Sequence, residues 1–392
     1  MRVNPFMQAV LPVTEVHADI ELWNKTVLEC FAPFVRRRRM LVDRRKIFRA
    51  ELVNLTRIQD QPHLSEALLK AVRMCRKAIY ADPIASYAHM IAVFPEASEA
   101  DGRWLGLCAS ANPLGADANL TDRIAEYMGH IDAIAEACLK PRMRFLFGFA
   151  RHLATGSFPV GSRDFGKYVD DWPVGQASSL KSLFNDPVFG VAVSQWRNIA
   201  AHRNYRRVSP SHFEATYGRN SPRTVQFSFE DLEQVLIWVR DLLYVCRMAE
   251  IIIYLEFSSE LRQHGLQEAP IRFDANMITL AHSLRMVGFT YIGEKIKDDG
   301  LAVLFRDDNS RTPRDAIIHL SQCLDDLSMA SSSDLDLKDQ IKKVGVGLVG
   351  SSGKTYAWAL VEVDAALQRL DRKISLKTYI EKIEWGFSDL EV

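Results

Sequence analysis

The sequence predicts a mainly α chain in three parts: a helical N-terminal region over 1–118, a helical bundle over 119–265 and a small α+β domain over 266–392. Three observations carry that expectation. Apolar residues recur at three- and four-residue intervals through most of the first two thirds, as one buried helix face requires. Ser228 and Asp231 have the spacing of a capping box, ahead of apolar positions at Leu232, Val235, Val239, Leu242 and Cys246. Alternating segments separated by glycine-containing turns, the signature of strands, are concentrated after about 266.

In chain order, residues 20–57 keep helical periodicity with a break near Pro33, and Asp60-Gln61-Pro62 interrupts before a helix over 64–80. A loop-rich boundary is expected over 94–117. Thr121 and Asp122 can cap a helix that lasts until Pro141, and "RMRFLFGFARHL" continues as another piece. After a Gly/Pro-containing loop, Asp186-Pro187 reads as the N-cap and first residue of the helix carrying "SQWRNIAAHRNYRR" (194–207). "FEATYG" and "TVQFSF" then read as a short hairpin, before the long helix started by Ser228. Further on, Asp299-Gly300 turns a second hairpin and "TPRDAIIHLSQCLDDL" forms a helix. A Ser/Asp-rich linker leads to two strands flanking "GSSGK", and a terminal helix closes the chain. No internal repeat is present.

Composition narrows the function classes. Of 392 residues, 48% are hydrophobic and 25% charged, which describes a folded chain and not a disordered one. The formal net charge is zero, so affinity for nucleic acid must come from local patches. The cysteines (Cys30, Cys75, Cys108, Cys138, Cys246, Cys323) are scattered without a C-x-x-C, which favours reduced, mostly buried thiols over a disulfide framework or a zinc site. The histidines make no H-x-x-x-H or H-E-x-x-H pattern, and no metal or organic cofactor is expected. Pro12 and nearby acids interrupt the N-terminal apolar stretch, so it does not read as a signal peptide. No apolar run approaches membrane-spanning length. The expectation is a cytoplasmic protein with no membrane segment.

An Arg-x-x-x-x-His pair occurs three times, at Arg197/His202, Arg207/His212 and Arg314/His319, so spacing alone selects none of them. Metal-free RNA cleavage needs groups that take and give protons, and positive charge on a phosphorane-like transition state. Histidine titrates near neutrality, and arginine grips phosphate oxygens through its planar fork. On a helical wheel Val188, Ala192, Trp196, Ile199 and Ala200 form the apolar stripe. Asn198 and His202 lie off its middle beside Gln195, and Arg197 sits on the other flank, within swinging distance. Asn198, four positions before His202, can orient the imidazole. No acid occurs between Asp186 and Glu214, whereas Arg197, Arg203, Arg206 and Arg207 do, with Tyr205 among them as a stacking or phosphate contact. The bland alternative is a structural histidine beside a solvated, cation-rich helix end. The Arg207/His212 pair contains Pro210 and lacks fixed helical geometry. The Arg314/His319 pair lies among Asp315, Asp325 and Asp326, surroundings that suit RNA poorly.

"WRNIAAHR" resembles the signature of the HEPN superfamily, an arginine, a polar residue, three variable residues and a histidine. The likeness spans about 120–260, where a helical block carries the motif and "FSFEDLEQVLIWVRDLL" is similar in pattern to the final helix of many HEPN domains. The resemblance implies a HEPN-like helical bundle and a metal-independent endoribonuclease, with Arg197, Asn198 and His202 at the catalytic positions. It also implies a homodimer in which two motifs complete one site. Toxin and phage-defence effectors are among the family's members, so RNA and an antitoxin or regulatory protein are the expected partners. Some HEPN proteins do not cleave RNA, and the alternative is a non-catalytic RNA-binding or adaptor protein. Arg203, Tyr205, Arg206 and Arg207 are the candidate RNA contacts.

Two other motifs carry weaker signals. "GLVGSSGKT" lacks the first glycine of a P-loop and is followed by strand-like "TYAWALVEV", so a hairpin turning at 351–354 is expected instead of a phosphate cradle. "RRRRMLVDRRKIFR" (36–49) suits either a structural helix with a solvated basic face or an RNA-backbone track. Leu41, Phe48 and Leu52 would be its packing positions.

Overall fold

The computed structural model describes residues 20–43, 45–110, 118–173, 175, 178–218, 221–266, 277, 280–281, 284–285, 287–333, 337–371 and 373–388. The chain divides into two compact units, one of residues 1–104 with 110–268 and one of 105–109 with 269–392.

The first unit opens with α1 (Ile20–Phe31), α2 (Arg38–Asp43), α3 (Arg45–Gln59), α4 (Pro62–Ala81) and α5 (Pro83–Ser110). Helix α5 runs through most of the stretch where a loop-rich boundary is expected; residues 111–117 lie outside the described ones. Pro95 sits inside this helix, and burial of Val93, Ala97, Ala100 and Trp104 outweighs its local cost. Next come α6 (Leu120–Ala133), a π-helical turn (Ile134–Leu139) and α7 (Lys140–Thr155). Asn119, not Thr121 or Asp122, caps α6, its side chain accepting from the Thr121 amide. Pro141 ends nothing. It lies in the first turn of α7, where a missing amide hydrogen is harmless.

Helix α8 (Phe165–Asp170) and a 3₁₀ turn (Ser178–Phe184) lead to α9 (Val193–His202). Three strands follow, β1 (Tyr205–Arg207), β2 (Phe213–Tyr217) and β3 (Arg223–Phe227), paired antiparallel in that order. Ser228 then caps α10 (Phe229–Glu256) through a complete capping box, and Leu232, Val235, Val239, Leu242 and Cys246 are all buried as expected. Helix α10 is the axis of the unit, packed against α3, α4, α6 and α7. Its buried charges are matched by other helices: Glu256 by Arg76, Glu250 by Arg142, and Arg247 by Glu51 and Asp101. The short α11 (Ser258–Gln263) follows it.

The second unit is a five-stranded mixed sheet with helices on one face. Its elements are β4 (Phe289–Lys297), β5 (Gly300–Asp307), α12 (Pro313–Leu320), α13 (Leu324–Ser333), β6 (Lys343–Val349), β7 (Thr355–Glu362), α14 (Val363–Leu370), α15 (Leu376–Glu381) and β8 (Glu384–Phe387). The strand order is β4-β5-β6-β7-β8, and only β5 and β6 run parallel, joined through α12 and α13. Leu301, Val303 and Phe305 alternate inward onto Ile317, Leu320 and Leu324. Both expected hairpins form; the first turns at Asp298-Asp299 and not at Asp299-Gly300, since Gly300 already pairs with Lys297, and Gly353 supplies the left-handed residue of the second, at φ 78°. The terminal helix is followed by β8, so a strand closes the described chain.

The expectation of a mainly α fold is overturned by eight strands in two sheets among the described residues. The middle part is not a self-contained helical bundle either. The three-stranded sheet is built into it, and α10 packs against α3 and α4 from the N-terminal part. The fold is α+β, with helices predominating in the first unit and a mixed sheet organising the second. Among the described residues, no helix is long and apolar enough to cross a membrane. All six cysteines are free, with Cys75, Cys138, Cys246 and Cys323 buried.

Candidate functional site

Helix α9 is held from its N-terminal side by Asp186, which is neither N-cap nor first-turn neighbour of the helix. Its buried carboxylate accepts from the amides of Val188 (2.9 Å), Phe189 (2.6 Å) and Val191 (2.8 Å) and from Trp196 Nε1 (2.8 Å). The loop it organises delivers the chain to Ala192, the residue that precedes the helix. Trp196, Ile199 and Ala200 of the expected apolar stripe are buried, whereas Val188 is exposed and lies with Ala192 ahead of the helix.

The flank bearing Arg197 faces α6 and the π-helical turn. Arg197 Nε lies 3.4 Å from Asp132 Oδ1 and its NH2 lies 3.1 Å from Glu136 Oε2, with all three side chains partly exposed. Its NH1 donates to Asn198 Oδ1 (3.2 Å). Asn198 therefore engages Arg197 and not His202. The His202 ring is exposed in the last turn and makes no side-chain hydrogen bond among the described residues.

The helix stops sharply after His202. Arg203 takes the left-handed conformation (φ 52°), and the Asn204 amide donates to the Ile199 carbonyl, a closure usually built on glycine. A non-glycine residue in that conformation costs about 1 kcal/mol. The turn leaves the Arg203 side chain exposed directly after His202 in the chain.

Tyr205, Arg206 and Arg207 then form β1, and the strand separates what the sequence places together. Arg206 projects from the face opposite Tyr205 and Arg207. It binds Glu214 Oε1 (2.8 Å), and this bond holds the Glu214 carboxyl below the usual range. Arg207 donates to the carbonyls of Ser209 (3.0 Å) and Pro210. Tyr205 is half-buried, which raises its phenol above the ordinary value and keeps the hydroxyl a donor at neutral pH.

The acid-free run in the sequence is thus not acid-free in space: Asp132, Glu136 and Glu214 all reach into it. No local signal near 194–207 marks Asp132 and Glu136, which arrive from another helix. His319, of the third pair, packs edge-on against Phe289 (5.5 Å), and burial lowers its pKa. Asp315 is engaged by Thr312 in capping α12, so this pair has a structural account. Arg37, in the basic run, binds Glu260 and the Glu256 carbonyl. Leu41 and Leu52 are buried there; the side chains of 42–50, including Phe48, lie outside the described ones. Among the described residues, no group of three His, Cys, Asp or Glu side chains is placed to hold a metal ion.

No family model, curated protein or solved structure matches this chain.

Proposed function

We propose that this chain is a metal-independent endoribonuclease of the HEPN type, acting through His202 with Arg197 and Asn198. The observation that carries the reading is the exposed His202 ring at the abrupt end of α9, without a side-chain hydrogen bond among the described residues and followed at once by the exposed Arg203. In this scheme His202 transfers protons, Arg197 stabilises the phosphate and Asn198 holds Arg197. Arg203, Tyr205 and Arg207 contact the RNA backbone, whereas Arg206 lies on the opposite face of β1, held by Glu214. One chain supplies one such histidine, so a homodimer joining two motifs provides both acid and base. A cytoplasmic toxin or phage-defence effector, restrained by an antitoxin or regulatory protein, is the setting this chemistry suits.

A second reading is favoured by one specific observation. Asp132 and Glu136 already neutralise Arg197, which suits a non-catalytic RNA-binding or adaptor protein. Incubating the purified protein with RNA in EDTA separates the two. The nuclease reading expects cleavage that His202→Ala abolishes and that Glu136→Gln increases, because RNA phosphate no longer competes with that carboxylate for Arg197. Intact RNA, or a His202→Ala protein that cuts as well as the parent, refutes it. Binding lost on reversing Arg203 and Arg207, without cleavage by any form, supports the adaptor.

A further inference from the structure

We infer that a cavity in the first unit, between the N-terminal half of α5, helix α7 and the loop 156–161, is a binding site for a small organic anion with an apolar body. It is separate from the motif on α9 and does not depend on that motif's activity. Its volume is about 510 Å³, within the roughly 300–1,000 Å³ usual for small-molecule sites.

The cavity's lining combines an apolar wall with four polar side chains, Arg144, His152, His89 and Ser157. Ala85, Ala88 and Ala92 project from one face of α5 and supply methyl groups without bulk. His89 stands beside them on the same helix, and Arg144 and His152 come from α7. Arg144 spends one nitrogen on Glu96, and its remaining N–H groups have no partner among the described residues. His152 is buried as a residue, and its Nδ1 is enclosed without a hydrogen-bond partner among the described residues. A buried ring nitrogen left unused beside a cavity is costly unless a ligand or water answers it. His89 Nε2 lies 3.2 Å from the Phe145 carbonyl, so it must donate, which leaves Nδ1 as an acceptor. Burial takes the His89 pKa down to about 4, and the ring is neutral near pH 7.

The walls are held in place by packing. Phe158 is stacked between the two imidazoles, 4.4 Å from His152 and 4.6 Å from His89. Gly148 makes room for the His89 ring: a Cβ there would come within 2.2 Å of Nε2. Gly156 and Gly161, both left-handed at φ 75° and 74°, sit at either end of the loop that forms the lip. The Phe158 ring also narrows the chemistry. Standing between the imidazoles, it keeps them from closing on one metal ion or dividing acid and base roles at one scissile bond. Recognition is what remains: the Arg144 fork for a carboxylate or phosphate head, the alanine wall for the body.

Calorimetric titration of the full chain with phenyl phosphate, benzoate and neutral benzyl alcohol tests the site. Both anions are expected to saturate, binding about tenfold or more tightly than benzyl alcohol, as one charge-assisted hydrogen bond allows. Whichever anion binds tighter identifies the head group. Arg144→Gln should bring the anions down to the level of the alcohol. Ala88→Trp, on an exposed position that tolerates bulk, should fill the cavity and abolish binding of all three while leaving the circular dichroism spectrum unchanged. Absence of saturable anion binding, anions no better than benzyl alcohol, or binding that survives Ala88→Trp overturns the inference.

Discussion

Replacing Asp186 with asparagine should loosen the helix that carries His202 while leaving the shape of the side chain nearly intact. One carboxylate oxygen accepts from Val188 and Phe189, and the other from Val191 and Trp196 Nε1. Asparagine keeps one acceptor oxygen and turns an NH₂ group toward the other pair of donors. Each hydrogen bond to a buried charge is worth about 1.5–3 kcal/mol net, and each donor left unanswered costs about 1–3 kcal/mol. The two losses overlap, so local stability should fall by about 2–4 kcal/mol. Hydrogen exchange of peptides spanning 186–202 measures this directly, and protection should drop about thirtyfold or more. Trp196→Phe removes one donor and leaves the carboxylate three others, so it should cost only about 1–2 kcal/mol. If Asp186→Asn exchanges at the parental rate, or no faster than Trp196→Phe, the carboxylate does not organise this loop.

Two further perturbations address the core. Burial raises the Glu250 pKa from 4.5 to about 7, against the lowering effect of Arg142 and Arg247 and with a further push upward from Asp101. The folded protein therefore holds this proton to higher pH than the unfolded chain. Its contribution is full below pH 4.5 and is lost as pH rises through about 7, by on the order of 3 kcal/mol. Glu250→Gln, which stays neutral, should remove that decline, and urea midpoints of the two proteins compared from pH 5 to 8 should diverge; parallel curves would refute the assignment. Gly148→Ala should destabilise by about 1–3 kcal/mol, because its Cβ meets a ring packed on both faces. A shifted His89 imidazole resonance should accompany the loss, and an unchanged melting temperature would show that the ring has room to move.

What could be read from the sequence follows how local each determinant is. The Ser228/Asp231 capping box and the turn at Gly353 are legible because neighbouring residues complete them, whereas the β4–β5 turn falls on Asp298-Asp299, one residue before the expected Asp299-Gly300. Strand β1 is not, since three residues become a strand only through pairing with β2. Asp186 misleads because Asp-Pro has the same local appearance whether it caps a helix or ties a loop. The site divides in the same way. The positions of Arg197 and His202 on α9 follow from the helical wheel, and the exposure of His202 agrees with its place off the apolar stripe. The carboxylates facing Arg197 were invisible, because no pattern around 194–207 encodes which helix will pack alongside it. The same limit hid the cavity, whose polar residues are scattered over α5 and α7.

The π-helical turn at Ile134–Leu139 acts as a phase correction between two helices that would otherwise be one. A wider turn holds one more residue than an α-helical turn, which advances everything after it by about 100°. Upstream of it, α6 aims Asp132 at Arg197; downstream, α7 aims the fully buried Arg142 at Glu250 and Asp101. Arg142 also donates back to the carbonyl of Cys138, inside the turn itself (2.8 Å). Removing the extra residue would rotate α7 by about 100° relative to α6 and so move one alignment against the other. The extra residue therefore couples the surface around α9 to the charge network on α10, and losing it would put the two out of step together.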